Sequence, residues 1–434
     1  MTPFESAVLA VSVIISAPSA FAGILGTNTP SQPLTAGRIA ALPRAQRTDW
    51  QQYLARSQRQ LQADQSALKN EMRRLGLKEA IAAPSGRGTR SLPLNRDAEW
   101  YRSADARRLA DIVVSFQTPA GGWCKNMDFS QHVRAPGEHF AADNTTRFPA
   151  PGDNDAPRDV GWNFVGTFDN DATITQMRFL ARVITALGEK SSAPYRAAFS
   201  RGLDYIFAAQ FPNGGWPQVW PLQGGYHDAI TYNDGAMLHV LALLRDVADG
   251  GKDFSFFSQR TRRKADASFK RGIVCLLQSQ VVVNGRRTVW GQQHDTLTLQ
   301  PVSARNYEMP ALTAGESGEI VIFLMQLPSP SPEIVTAVHA AADWFQKTAQ
   351  RDVAFRFNGA EDRQLVPAPG NGPLWSRYYE IGSDRPIFGD RDKSIHDNVN
   401  EISLERRRGY SWFSEKGQAV LDRYASWRKL HPPP

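Results

Sequence analysis

The stretch Gln210-Phe-Pro-Asn-Gly-Gly-Trp216 decides the fold, because the chain contains it twice. The other copy is Gln117-Thr-Pro-Ala-Gly-Gly-Trp123, so the shared pattern is Q-x-P-x-G-G-W. Each copy follows a run with helical periodicity. A looser third copy runs from Gln280 through Asn284-Gly285 to Trp290. A second element recurs in step with the first. Thr167-Phe-Asp-Asn-Asp-Ala172 and Thr231-Tyr-Asn-Asp-Gly-Ala236 share T-[FY]-[DN]-[ND]-x-A, and each opens an amphipathic helix. The repeating unit is thus a helix, a Gly-Gly-Trp turn, a loop and a carboxylate-capped helix. Helix pairs that bury one face each must stack on their neighbours, as a solenoid or a closed ring. Three units with few residues to spare favour the ring, a mainly α fold of the (α/α) toroid type.

Outward from these turns, apolar runs at about 101–117, 172–187, 195–210, 234–248, 262–280, 316–327 and 333–349 supply the helices. Strand signals are few and lie late in the chain: a hairpin at Val281–Gly285 and short strands near 353–357 and 374–380. The toroid is expected to span 96–434. Ahead of it, residues 23–95 read as a basic, Gln/Arg-rich leader between two Gly/Pro/Ser-rich linkers. Within the leader, Trp50, Tyr53, Leu54, Leu61 and Leu68 form the sparse apolar stripe of a semi-autonomous helix. Residues 1–22 read as a secretory signal, with an apolar run Ala7–Ala17, the breaker Pro18 and the cleavage pattern Ala20-Phe-Ala22. Export, to the medium or a periplasm, is expected after cleavage near Ala22. The remaining chain has no run long enough for a membrane span, so a soluble mature protein is expected; a monomer is the expected state. Export would also permit a Cys124–Cys275 disulfide, which sequence cannot place.

The composition narrows the classes. With 434 residues, 41 % of them hydrophobic, the chain is a folded globular protein. Two Cys exclude a disulfide-dense scaffold and a Cys-rich metal module. The net charge of +7 suggests an anionic partner. Residues 23–95, however, hold 11 Lys and Arg against 4 Asp and Glu, a surplus as large as that of the whole chain. The basic balance therefore belongs to the leader, which suits a tether to acidic polymer. It says nothing about the toroid's own ligand. No nucleic-acid module is present.

In a ring, corresponding loops share one end. Asp169-Asn170-Asp171 and Asn233-Asp234 should therefore face each other across one mouth. Asp and Asn ahead of a helix are ordinary N-caps. The same oxygens suit a hard cation such as Ca²⁺. Arg305 stands 15 residues after Trp290, as Thr231 stands 15 after Trp216, which places Arg305 in the equivalent third loop. Arg305 has Glu308 beside it as an ordinary ion-pair partner. Arg377 and Arg391 are flanked by aromatics or acids, the setting of carboxylate-reading arginines and equally of surface ion pairs. Trp123, Trp216, Trp220 and Trp290 fit either sugar stacking or core packing.

These residues carry a resemblance. Phe168-Asp-Asn-Asp-Ala-Thr173, Gln210-Phe-Pro-Asn-Gly-Gly-Trp-Pro-Gln218, Ile230-Thr-Tyr-Asn-Asp234, Val289-Trp-Gly-Gln-Gln-His-Asp295, Ala304-Arg-Asn-Tyr-Glu-Met-Pro-Ala-Leu312 and the arginine motifs within 374–393 resemble, in order, the family 10 polysaccharide lyases, which are pectate lyases. The resemblance covers about 96–415 and implies a helical toroid that cleaves polygalacturonate by Ca²⁺-dependent β-elimination. It implies Asp169, Asn170 and Asp234 as metal ligands, with Asp169 also serving the substrate carboxylate. It further implies Arg305 as the base, its pKa lowered by neighbouring cations, and Arg377 and Arg391 as substrate-binding residues. Gly235 departs from it, standing where an acid would add metal charge. A glycoside hydrolase on the same ring and a non-catalytic binder of acidic polysaccharide are the competing readings.

Overall fold

The computed structural model describes residues 23–86, 88–142, 165–359 and 361–433; the export signal read at 1–22 lies outside them. The leader helix α1 is Arg44–Leu75, and the ring is built from α2 (Ala104–Ser115), α3 (Ile174–Leu187), α4 (Ala193–Ala209), α5 (Ala236–Asp249), α6 (Gln259–Gln278), α7 (Ala314–Met325), α8 (Pro332–Thr348) and α9 (Lys416–Leu430). The architecture is the expected (α/α) toroid. Local chemistry starts four of these helices: Ser103 and Ser258 cap α2 and α6 through their hydroxyls, while Pro occupies the first turn of α4 and α8. The helices α3 and α5 that follow the carboxylate turns are buried over most of their circumference. Buried side chains from all the ring helices merge into one core.

The repeat is a hydrogen-bonding device as well as a turn. The Gln117, Gln210 and Gln280 amides each donate to their own turn (Gly121 O, Gly214 O, Thr288 O) and to the next outer helix (Ala198 O, Ser268 O, Ala337 O). The Trp123, Trp216 and Trp290 indoles donate back to the preceding helix at Val113, Ile206 and Leu276. The first glycine of each pair has a positive φ, and a Cβ on Gly121 or Gly214 would sit 2.5 Å or 2.2 Å from the carbonyl oxygen of Arg201 or Arg271. Only glycine permits that approach. All four tryptophans considered for sugar stacking are buried in the core.

A fourth unit escapes the sequence pattern. Trp375 donates its indole N–H to Phe345 O, and Gln350 pairs through its backbone with Leu374. The hairpin Val353–Asn358/Asp362–Pro367 is inserted between Gln350 and Trp375, which hides the spacing. α9 also went unread, because its surface is mostly charged and its apolar stripe is Val420, Tyr424 and Trp427.

Short strands are not confined to the C-terminal part. Gly166–Thr167 pairs with Val219–Trp220, and Ile230–Thr231 pairs with Gln293–His294, so each carboxylate turn leaves a two-residue strand. A five-stranded sheet runs in the order Ile24–Thr27, Ser394–His396, Pro386–Gly389, Tyr378–Tyr379, Leu312–Thr313.

That sheet corrects the reading of the leader. Residues 23–95 do not form a semi-autonomous unit: their first strand is an edge of the sheet that carries the arginine loops. α1 lies along the ring with Trp50, Tyr53, Ser57, Asp64 and Leu68 buried. Tyr53 donates to Ala209 O, and Ser57 accepts from Leu222 N. Arg38 pairs with Asp295 at 2.6 Å. The apolar stripe was legible; its partner on the ring was not. Cys124 and Cys275 are both buried and form no disulfide with each other. Among the described residues, no helix is long and apolar enough to cross a membrane.

Candidate active site

The two carboxylate turns pack against each other at one end of the ring. Each is a single 3₁₀ turn with a left-handed residue, Asn170 at φ 50°, ψ 43° and Asp234 at φ 50°, ψ 28°. The match pairs Asn170 with Asp234 and Asp169 with Asn233, so acid and amide are exchanged between the units. The next residues, Asp171 and Gly235, also share a positive φ. Asp171 turns away and meets His239 Nδ1 at 2.6 Å. A Cβ on Gly235 would lie 2.6 Å from the His239 ring. Asp171 shows that a side chain can adopt this left-handed backbone; at Gly235 it is the imidazole beside Asp171 that occupies the space a Cβ would need.

The third unit differs from the expected alignment. Thr167, Thr231 and Thr313 each donate their backbone N–H to the carbonyl of the unit's tryptophan, at Trp123, Trp216 and Trp290. The third counterpart is therefore Thr313, and three residues on stands Glu316, where the other units have Asn170 and Asp234. Arg305 reaches the mouth from the loop before it. The equal spacing from tryptophan was coincidental. Thr-x-x-[Asn/Asp/Glu] was the signal that would have found Glu316.

Around the two turns the charges are close enough to set each other's ionisation. Burial pushes the Asp169 carboxyl up, but Lys125, 2.5 Å away on Oδ2, outweighs it with help from Gln218 and Arg305 and holds it below the usual range. Asp169 Oδ1 is buried and accepts no well-formed hydrogen bond. Although Asp234 reaches solvent at the mouth, the protein crowded around it removes much of its hydration, and this desolvation together with the neighbouring Asp169 charge pushes its carboxyl up to about 6. Glu316 Oε2 is likewise buried without a hydrogen bond, while Oε1 accepts from Arg377 at 3.0 Å. Orphaned carboxylate oxygens beside a like-charged pair fit an added hard cation. Asp169, Asn170 and Asp234 supply oxygen donors, with Asn170 and Asp234 exposed at the mouth. Among the described residues, no three His, Cys, Asp or Glu side chains are grouped closely enough to hold a metal by themselves, so the set at the mouth depends on the Asn170 amide oxygen beside Asp169 and Asp234.

Arg305 is gripped by Glu308, Nη2 to Oε1 at 2.5 Å and Nε to Oε2 at 3.0 Å. Burial disfavours the guanidinium charge, but the Glu308 charge and hydrogen bonds outweigh it and hold its pKa well above the ordinary arginine value. Burial raises and Arg305 lowers the Glu308 carboxyl, with Tyr410 assisting, to a net value of about 2. The immediate partner, Glu308, is a buried anion, and it acts in the direction opposite to the lowering expected from nearby cations. The ordinary ion-pair reading of Arg305 holds, at the mouth itself.

Arg377 donates to Glu316 and to Asn233 Oδ1, and Arg391 pairs with Glu405 at 2.8 Å. Sequence reading missed what gathers these arginines, which is aromatic rings. Arg305, Arg391 and Arg406 stand 4.9, 5.4 and 4.4 Å from the Tyr307 ring centre, and Arg377 stands 4.7 Å from that of Tyr410. From Glu308 a hydrogen-bonded chain runs through the Tyr410, Tyr378 and Gln292 side chains to Asn233. The arginine loop and the carboxylate turn are therefore one polar network. A cleft of about 310 Å³ opens beside it, lined by Asp234, Glu316, Arg377 and Lys416 among others. His294, adjacent in sequence to Asp295, is a buried neutral ring: burial pushes its pKa down to about 4, and it holds Gly291 N and Leu299 O.

Residues 117–421 match the family model described as pectic acid lyase. Among solved structures, the chain is similar to a family 10 polysaccharide lyase from Cellvibrio cellulosa, with 32 % identity over 78 % of this chain and 97 % of that one and a TM-score of 0.63. An Asp-to-Ala mutant of such a lyase, in complex with trigalacturonic acid, matches with 31 % identity over 78 % and 98 % and a TM-score of 0.62. No curated protein matches the chain. The ring, the mouth and a family match over most of the sequence lead to one conclusion: the chain belongs to the pectic acid lyases and is a polysaccharide lyase.

Proposed function

We propose that this lyase is a secreted, calcium-dependent pectate lyase that cleaves α-1,4-linked polygalacturonate by β-elimination. The observation that supports this most is the meeting, at one mouth, of Arg305 and its companion arginines with the Asp169 and Asp234 turns. A galacturonate unit carries its acidic C5–H next to the C6 carboxylate. Removing that proton makes the carboxylate dianionic in character, so positive charge placed around it lowers the barrier. Arg377 and Arg391 are assigned to substrate carboxylates, stiffened by the Tyr410 and Tyr307 rings. Asp169, Asn170 and Asp234 would hold Ca²⁺, and Asp169 would thereby also serve the substrate carboxylate. Bound there, Ca²⁺ would supply charge that neutralises the C6 carboxylate and acidifies C5–H.

Arg305 is assigned the base. It takes the C5 proton as the C4–O bond to the neighbouring sugar breaks, leaving a 4,5-unsaturated end. A guanidinium must lose a proton first, and Glu308 opposes that loss, so activity belongs at alkaline pH. The Cellvibrio lyase complex with trigalacturonic acid supports the substrate assignment. The A-x-A pattern at Ala20–Ala22 supports export. Arg305→Ala tests the central role. It should abolish formation of unsaturated product while leaving oligogalacturonate binding measurable by calorimetry. Unchanged turnover would remove Arg305 from the reaction.

A further inference from the structure

The polar chemistry of the mouth continues into a segment that the family match, beginning at residue 117, does not include. Asn28 follows the leader's first strand and is buried, 5 % exposed. Its amide nitrogen faces three carbonyls of the Arg305 turn: Arg305 O at 3.2 Å, Asn306 O at 2.9 Å and Glu308 O at 3.3 Å. Its backbone N–H donates to Lys393 O at 2.7 Å, two residues beyond Arg391. Asn306 closes the bracket by donating to Arg391 O at 2.9 Å. Ser303, at the entry to the same turn, donates to Thr29 O. The strand itself pairs with Ser394–His396. One leader residue therefore joins the loops of Arg305 and Arg391 at their backbones.

The cost of this arrangement points the same way. Asn28 Oδ1 is buried with no hydrogen bond. An unsatisfied buried acceptor is disfavoured, and a side chain kept purely for packing would be better apolar. What an apolar residue cannot do is donate two N–H groups to carbonyls that converge on one point. Asn306 O accepts from Asn28, while Arg305 O and Glu308 O already accept from Glu308 N and Ala304 N. Asn28 thus adds a second donor to a turn that is already closed, which fixes its orientation rather than its existence.

We infer that Asn28 is a positioning residue: through the backbone it sets the Arg305 turn against the Arg391 loop, so the basic leader is part of the catalytic apparatus. The inference rests on the role proposed for Arg305. Reacting groups misplaced by about 1 Å lose on the order of a hundredfold in rate. A loosened turn should lose less, about tenfold in kcat, with KM for oligogalacturonate little changed.

The test is full-length Asn28→Ala and Asn28→Leu, assayed for unsaturated product at saturating Ca²⁺. The leucine variant keeps the branched outline, removes both the donors and the orphaned acceptor, and is somewhat bulkier; because it also leaves Asn306 O without its donor, melting curves of both variants identify those that are folded at the assay temperature. A fall in kcat of about threefold or more in the folded leucine variant supports the positioning role. A kcat closer to wild type overturns it, as does a rise in KM alone, or a loss that melting curves trace to unfolding at the assay temperature. Arg305→Ala, run alongside, separates the two levels. Full activity there refutes the Arg305 assignment, whereas full activity in Asn28→Leu refutes only the brace.

Discussion

Glu308→Gln is the perturbation that tests the chemistry most sharply. The substitution keeps the shape of the side chain and an acceptor oxygen for Arg305, and removes one negative charge. In the structure that charge lies 2.5–3.0 Å from two guanidinium nitrogens. Taking the charge centres as about 4 Å apart at an effective dielectric of about 20, the attraction is about 4 kcal/mol. The Arg305 side chain is 41 % exposed, so solvent screening reduces this to about 2 kcal/mol. That is about 1.5 pH units in the Arg305 pKa. The direction is fixed: losing an anion makes the guanidinium easier to deprotonate. If neutral Arg305 is the base, the rise of kcat/KM with pH should move to lower pH by about that amount. The assay is initial rate of unsaturated product against pH for both proteins, at saturating Ca²⁺. Damage to positioning would scale the whole curve without moving it. A profile that stays in place, or moves to higher pH, would refute the reasoning.

Other consequences follow from single residues. Burial pushes the Asp64 carboxyl, on the inner face of α1, from 3.8 up to about 7. The folded state then holds a proton that the unfolded chain has lost, so stability falls as pH rises from about 4 to 7, by up to about 4 kcal/mol. Asp64→Asn should flatten this dependence and raise the melting temperature at pH 8 relative to wild type; a variant no more stable at pH 8 would contradict it. Gly235→Ala should cost about 1–3 kcal/mol in urea unfolding, because it adds left-handed strain and displaces the His239 ring from Asp171; a neutral substitution would show that the ring yields freely. Asp169→Ala should weaken Ca²⁺ half-saturation of the rate by about tenfold to a hundredfold, since it removes the buried carboxylate with the orphaned oxygen; unaltered half-saturation would take Asp169 out of the metal site.

Much of the ring was legible because its signals are local and repeated. Gln117 and Gln210 bind a turn and a neighbouring helix in the same way, and that shared job preserves their spacing to Trp123 and Trp216. The fourth unit was hidden because an inserted hairpin stretches the gap between Gln350 and Trp375. The carboxylate turns were legible for the same reason as the Trp turns: their left-handed geometry selects Asn, Asp or Gly. Asp169, Asn170, Asp234, Arg305, Arg377 and Arg391 do gather at one mouth, yet the forces that gather the arginines could not be read. Tyr307 and Tyr410 collect guanidinium groups from segments far apart in the chain, and nothing in the spacing of Arg305, Arg391 and Arg406 announces a shared ring. Glu308 was read as a neighbour of Arg305; that it is buried, and so dominates the arginine's ionisation, depends on packing. The leader looked separate because composition changes at its edges, but a composition change does not report that Ile24–Thr27 completes a sheet.

The most direct measurement is the ultraviolet absorbance of polygalacturonate mixed with the purified protein at alkaline pH, first in chelator and then with Ca²⁺ restored. β-Elimination conjugates a new double bond with the C6 carboxylate, which hydrolysis does not. Absorbance should stay flat in chelator and climb when Ca²⁺ returns. Chain shortening without absorbance would contradict the lyase chemistry, and an equal rise in chelator would contradict the metal site at Asp169, Asn170 and Asp234.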